Sequence, residues 1–166
     1  MPELLDNRLT ITGDPDMLDR LAEELDDGQG NPFELTQLAP LQAQDERSLE
    51  AQDERLALWG SDRLFAAERS RPDPETLVYT FESAYSPPRT ALELLALRYE
   101  GLRFALVWAD WGSVTVGVTV YDGWLGRSDT LACTPAERVR LLRASGWETM
   151  AEAWLDERAS ASGCPC

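Results

Sequence analysis

Polar and apolar residues alternate over Asn7-Arg8-Leu9-Thr10-Ile11-Thr12, the period-2 pattern of a half-buried strand, and Gly13 ends the run. Asp14-Pro15 then reads as an N-cap followed by proline at the first helical position. Met17, Leu18, Leu21 and Leu25 recur at helical spacing, so the pattern predicts an amphipathic helix over residues 15–26 that stops at Gly28. Alternation returns from Phe33 to Leu38 and predicts a second strand closed by Pro40. Residues 41–56 hold an eight-residue repeat, LQAQDERS followed by LEAQDERL, whose Ala, Gln, Glu and Arg content predicts a polar surface helix. Trp59-Gly60 follows, then a charged stretch ending in Arg71-Pro72-Asp73-Pro74 that reads as a loop.

The second half is more apolar. Thr76 to Tyr85 is the clearest strand, with Leu77, Tyr79, Phe81 and Tyr85 on one face, and Ser86-Pro87-Pro88 ends it. A helix over 88–98 carries Leu92, Leu95 and Tyr99 and stops near Gly101. Residues 103–110 and 113–121 form a hairpin turned at Asp110-Trp111-Gly112, with Val114, Val116, Val118 and Val120 sharing a face. Thr134-Pro135-Ala136-Glu137 opens a helix with a capping box, and a last helix presents Trp147, Met150, Ala151, Trp154 and Leu155 along one stripe. That stripe either packs on the domain or docks another chain. The element order predicts an α+β fold: an antiparallel sheet with helices packed on one face, a helical insertion and C-terminal helices. It divides into an α+β domain over 1–130 with an acidic insertion at about 41–75, a helical extension over 131–160, and a frayed tail over 161–166.

Composition narrows the chemistry. The chain has 166 residues with 30 carboxylates against 15 basic side chains, a net charge of −15, and every basic residue is arginine. Without histidine or lysine there is no imidazole acid–base chemistry, no Ser-His-Asp or Cys-His system, no histidine metal site and no Schiff-base or Walker-type lysine. The acidic balance opposes a surface built to grip phosphate backbones. Residues 1–30 hold nine acids against two arginines and residues 31–75 ten against five, so the excess lies in the first 75 residues. No apolar run approaches the roughly 20 residues of a membrane span, and the start lacks a signal-peptide pattern, so a soluble, cytoplasmic protein is expected. Cys133, Cys164 and Cys166 make no disulfide framework, and Cys164-Pro165-Cys166 lacks the further ligands a metal would need.

With these segments in hand, the chain resembles the phage- and plasmid-encoded YubB ferredoxin-like family. The resemblance rests on Met1-Pro2, Asn7 to Gly13, Phe33 to Pro40, Trp59-Gly60, Phe81-Glu82-Ser83-Ala84-Tyr85-Ser86-Pro87-Pro88, and the hairpin with Gly112 and Gly117. It spans roughly residues 1–122. It implies a ferredoxin-like core, in the sense of topology and not of an iron–sulfur cluster, and a mobile-element origin. It brings no established activity.

Four constellations carry candidate chemistry. Asp14-x-Asp16-x-x-Asp19 superficially matches a calcium loop, but the sixth position is Asp19 and the twelfth is Leu25, so it reads as an acidic first helical turn. Asp110 between Trp108 and Trp111 reads as a turn aspartate, with no second acid placed to complete a catalytic pair. Tyr79, Phe81, Tyr85 and Trp108 are of the type that stacks bases on an open ferredoxin-like sheet, which is the alternative, nucleic-acid-binding reading. The leading candidate is acidic. Asp19, Glu23 and Asp26 form a carboxylate row on the first helix, with Asp16, Glu24 and Asp27 beside it and Asp45, Glu46, Glu50, Asp53 and Glu54 in the repeat. Carboxylates at i, i+4 and i+7 stand about 5–6 Å apart, a scale comparable to the charge spacing of a nucleic-acid strand. Such a face either keeps the protein in solution or occupies a basic groove meant for DNA or RNA. The expectation is a non-enzymatic interaction protein without cofactor or metal, whose partner is a basic host protein or nucleoprotein complex. A CRISPR effector or a restriction enzyme would be examples.

Overall fold

The computed structural model of the chain describes residues 3–110, 115–122 and 125–132. The expected helices after residue 132, the stripe from Trp147 to Leu155 and all three cysteines lie outside the described residues.

The elements run β1 (Leu4–Thr12), α1 (Pro15–Leu25), α2 (Leu49–Trp59), β2 (Leu64–Asp73), β3 (Thr76–Ala84), α3 (Arg89–Arg98), β4 (Arg103–Asp110), β5 (Thr115–Asp122) and β6 (Leu125–Ala132). They build one sheet in the order β2-β3-β1-β4-β5-β6, and every neighbouring pair is antiparallel. The first four strands with α1 and α3 follow the ferredoxin-like βαββαβ arrangement, which β5 and β6 extend along the β4 edge.

Register explains which side chains meet. β1 is central, with Leu9 opposite Tyr79 and Leu106, and Ile11 opposite Leu77 and Phe104. Because strand side chains alternate, Leu5, Leu9, Ile11, Leu77, Tyr79, Phe81, Phe104, Leu106 and Trp108 share one face. Leu18, Leu21 and Leu25 of α1 and Ala91, Leu92, Leu95 and Ala96 of α3 close over that face, and all are buried. Asp14 caps α1 by accepting a 3.0 Å hydrogen bond from the Met17 amide, as the Asp-Pro pair predicts.

Residues 33–38 are not a strand. Phe33, Leu35 and Leu38 are buried, but as a folded turn laid over the core. The Phe33 amide donates to Asn31 Oδ1 and the Thr36 amide to Glu34 Oε1, while Leu38 and Ala39 donate back to the Leu35 carbonyl. These local acceptors satisfy the backbone without a sheet neighbour. The second strand of the ferredoxin-like core is instead β2, in the charged stretch that the sequence presents as a loop. It is an exposed edge strand with register shifts between Phe65 and Glu68 and between Ser70 and Asp73, so no alternation marks it.

The repeat also splits. Its second copy forms α2, whereas the first lies in an irregular segment that ends at Ser48, the α2 N-cap. Glu54 of the second copy accepts from the Gln42 and Ala43 amides at 2.7 and 2.9 Å, so one copy caps the backbone of the other. Ser86-Pro87-Pro88 and Trp59-Gly60 meet where α2 ends and α3 begins. Gly60 takes φ 82° as the α2 C-cap, and a β-carbon there would stand 3.1 Å from the Thr90 backbone nitrogen. Ser86 Oγ donates to the Gly60 carbonyl, and the Trp59 indole donates to the Ala39 carbonyl at 3.0 Å. The shared segments therefore have a packing role.

Candidate functional site

Two clefts and a set of exposed carboxylates carry the site chemistry, and the arginines decide how much of the predicted acidic face is free. The row Asp19, Glu23, Asp26 borders β2, with Asp19 and Glu23 exposed to solvent. It lines a shallow cleft of about 700 Å³ between α1 and β2, together with Arg69, Ser70 and Arg71. Asp19 pairs with Arg71, and Asp26 pairs with Arg69 at 3.3 Å. Period 2 in β2 sends Arg69 and Arg71 to the same side, about 7 Å apart, and their long side chains reach Asp19 and Asp26, which seven helical residues set about 10 Å apart. Glu24, on the neighbouring flank, accepts from Arg98 and from the Tyr99 hydroxyl of the α3 end. Exposed pairs of this kind contribute about 0–1 kcal/mol each; their larger effect is to neutralise three of the predicted site carboxylates.

Others serve the backbone. Asp26 Oδ1 accepts from the Gly28 amide at 2.8 Å, and Asp27 Oδ1 accepts from the Gln29 and Asn31 amides at 2.7 and 2.9 Å, shaping the turn after α1. Asp45 Oδ1 accepts from the Arg47 amide at 3.0 Å, and Glu54 is held by the first repeat copy. Asp16, Glu23, Asp45, Glu46, Glu50 and Asp53 are exposed, and among the described residues none of their carboxylates pairs with an arginine. Apart from Asp45, which holds an amide, these carboxylates sit on α1 (Asp16, Glu23), on α2 (Glu50, Asp53) and just before α2 (Glu46).

The second cleft, about 340 Å³, lies between the 31–36 turn and α2 and is lined by Phe33, Glu34, Trp59, Arg47, Arg55 and Arg63 among others. At its base Arg55 is 5 % exposed. Its Nε and Nη2 donate to Asp62 Oδ1 at 3.0 and 2.8 Å, and Nη1 donates to the Glu46 carbonyl at 2.7 Å. No sequence signal separates Arg55 from Arg47, its counterpart in the other repeat copy; only the fold buries one and exposes the other.

The aromatic candidates take different places. Tyr79, Phe81 and Trp108 are buried on the helix-covered face, where Phe33 contacts both Tyr79 and Phe81 with ring centroids 4.8 Å apart. They cannot stack bases from there, which removes three of the four residues of the nucleic-acid reading. Tyr85 alone of the four is exposed, in a left-handed conformation with φ 68° at the end of β3. Burial pushes the Tyr79 phenol up to about 12, partly offset by the Arg69 guanidinium, and its hydroxyl makes no hydrogen bond. The Tyr121 phenol also rises to about 12, through burial and then the Glu93 carboxylate that it donates to at 3.2 Å. Burial raises Tyr99 as well, against the lowering effect of Arg98 and Arg20.

Asp14 is a helix cap, as its sequence context suggests; Asp110 is the last residue of β4, opposite Leu5 and Thr115, and the turn expected at Trp111-Gly112 lies outside the described residues. Among the described residues, no three Cys, Asp or Glu side chains gather as a metal site, and no helix is long and apolar enough to cross a membrane.

The fold places the chain among ferredoxin-like α+β proteins with an extended antiparallel sheet. It is similar to the crystal structure of a protein api92 from Yersinia pseudotuberculosis, of family DUF1281, with 16 % identity and a TM-score of 0.44. The match covers 54 % of this chain and 33 % of that one, so this chain matches about a third of the length of that protein. No family model and no curated protein matches the chain.

Proposed function

We propose that the chain is a non-enzymatic acidic interaction protein of a mobile genetic element, which occupies a basic nucleic-acid-binding surface of a host complex. The mobile-element origin rests on the family resemblance of the sequence. The binding reading rests on one observation: among the described residues, Asp16, Glu23, Glu46, Glu50 and Asp53 are exposed with neither an arginine nor a backbone amide on their carboxylates. Unpaired surface carboxylates repel one another and favour a cationic partner, which they also steer over a Debye length of about 8 Å at physiological salt. The contact set is accordingly narrower than the eleven acids of the sequence pattern: Asp19, Glu24 and Asp26 are neutralised, and Asp27, Asp45 and Glu54 hold backbone amides. A counter-defence role, against a CRISPR effector or a restriction enzyme, is the setting in which such a surface acts.

Affinity purification from the native host tests this reading. The expected catch is a basic nucleic-acid-handling protein that is released by salt, is lost with Asp16→Asn/Glu23→Gln/Glu50→Gln/Asp53→Asn, and is retained with Asp27→Asn. Recovery of no partner, or a gel shift of free DNA by this chain alone, contradicts it.

A further inference from the structure

The cleft over Arg55 gathers positive charge in an otherwise acidic region. With 30 carboxylates for 15 arginines, an exposed arginine is expected to find an acid, and Arg69, Arg71 and Arg98 do so. Arg47 and Arg63 both line this cleft and are exposed, yet among the described residues no carboxylate pairs with either. Buried Arg55 adds donors from below. One N–H each of its Nε, Nη1 and Nη2 is taken, which leaves a second N–H on Nη1 and on Nη2 for the cleft.

The three arginines stand on fixed backbone. Asp45 shapes the turn that carries Arg47: its Oδ1 accepts from the Arg47 amide at 3.0 Å, and its carbonyl accepts from the Ser48 amide and hydroxyl at 3.0 and 2.7 Å. Arg63 leads into β2, where its carbonyl accepts from the Ala84 amide at 2.9 Å. Arg55 ties these segments together, because it donates to the Glu46 carbonyl beside Arg47 and to the Asp62 carboxylate beside Arg63. Phe33, Trp59 and Leu64 supply apolar walls. Two acids also line the cleft. Glu34 is engaged by its own loop, accepting from Asn31 Nδ2 and from the Thr36 amide and hydroxyl, whereas Glu46 is exposed and has no arginine.

We infer that this cleft binds a phosphate monoester with a compact organic body, of the size of a mononucleotide. Its phosphate is held by Arg47, Arg63 and the spare N–H groups of Arg55, and its body rests on the apolar walls. Charge matching selects the phosphate. Asp62 balances Arg55, so two guanidinium groups remain unmatched. A phosphate monoester brings a charge of about −1.5 to −2 at pH 7 and three acceptor oxygens, where a carboxylate brings a single charge and two oxygens. The volume of about 340 Å³ falls within the roughly 300–1,000 Å³ of small-molecule sites. It has room for one nucleotide and not for a strand.

Calorimetric titration of the full chain with adenosine 5′-monophosphate, adenosine and inorganic phosphate tests this. The monophosphate is expected to bind one to one, and adenosine and inorganic phosphate each at least about tenfold more weakly. Arg47→Gln/Arg63→Gln is expected to weaken the monophosphate at least about tenfold and to melt with the wild type, since neither side chain holds another group. Arg69→Gln/Arg71→Gln removes the same charge from the other cleft and is expected to leave binding nearly unchanged. Glu46→Gln is expected to tighten it. No saturable binding of the monophosphate, adenosine binding as tightly, or an equal loss with Arg69→Gln/Arg71→Gln overturns the inference.

Discussion

Removing the carboxylate from Asp62 is expected to cost more stability than any surface charge change in this chain. Arg55 directs three of its five N–H groups at Asp62 Oδ1 and the Glu46 carbonyl, and the side chains of Arg55 and Asp62 are 6 % and 12 % exposed. Asp62→Ala leaves a buried guanidinium without a counter-charge, a change that costs about 3–5 kcal/mol. At about 2–4 °C per kcal/mol for a chain of this size, the thermal midpoint falls by roughly 6–20 °C. Arg55→Met strands the Asp62 carboxylate and has a similar effect. Replacing both, Arg55→Met/Asp62→Leu, removes the desolvated charges together and is expected to be milder than either single change. Urea unfolding followed by tryptophan fluorescence measures all four chains. Two single variants costing under about 1 kcal/mol each would place the pair with ordinary surface bridges and refute the argument.

Gly117→Ala is expected to destabilise by about 1–3 kcal/mol through overpacking, because a β-carbon there would stand 1.9 Å from the Trp108 ring; thermal melts check it. Tyr79→Phe removes a buried hydroxyl that has no partner and is expected to be neutral or stabilising by about 1 kcal/mol in the same melts. It also bears on alkaline stability. The folded phenol titrates near 12 against 10.0 when unfolded, so above pH 10 the unfolded chain ionises first and stability falls as pH rises toward 12. Tyr79→Phe is expected to flatten that fall, leaving the part due to Tyr121. Glu54→Ala frees the Gln42 and Ala43 amides and is expected to speed limited proteolysis within 41–48, with little change in global stability.

The elements legible in the sequence were those where one periodicity had one physical cause. β1, α1, β3 and α3 each bury a recognisable apolar face, β4 and β5 are buried on both faces, and each lies close to where its pattern predicts. Residues 33–38 mislead because alternate burial also suits a turn whose amides are held by Asn31 and Glu34. β2 is hidden because an exposed edge strand has no inner face to write into the sequence; its visible trace is Arg69 and Arg71, two residues apart. The repeat shows the limit of local propensity, since nearly the same eight residues form a helix in one copy and an irregular segment in the other. The acidity of the first 75 residues was legible as a total. Its division into paired, backbone-holding and free carboxylates was not, because that depends on which arginines the sheet brings across from β2 and α3.

Competition on the captured partner tests the acidic surface most directly. The partner's binding to its own nucleic acid is titrated with this chain at low and high salt, alongside Asp16→Asn/Glu23→Gln/Glu50→Gln/Asp53→Asn. The wild-type chain is expected to displace the nucleic acid at low salt and to lose this ability as salt rises, and the four-residue variant is expected to lack it. Displacement that the variant retains in full, or that salt does not weaken, would contradict that expectation.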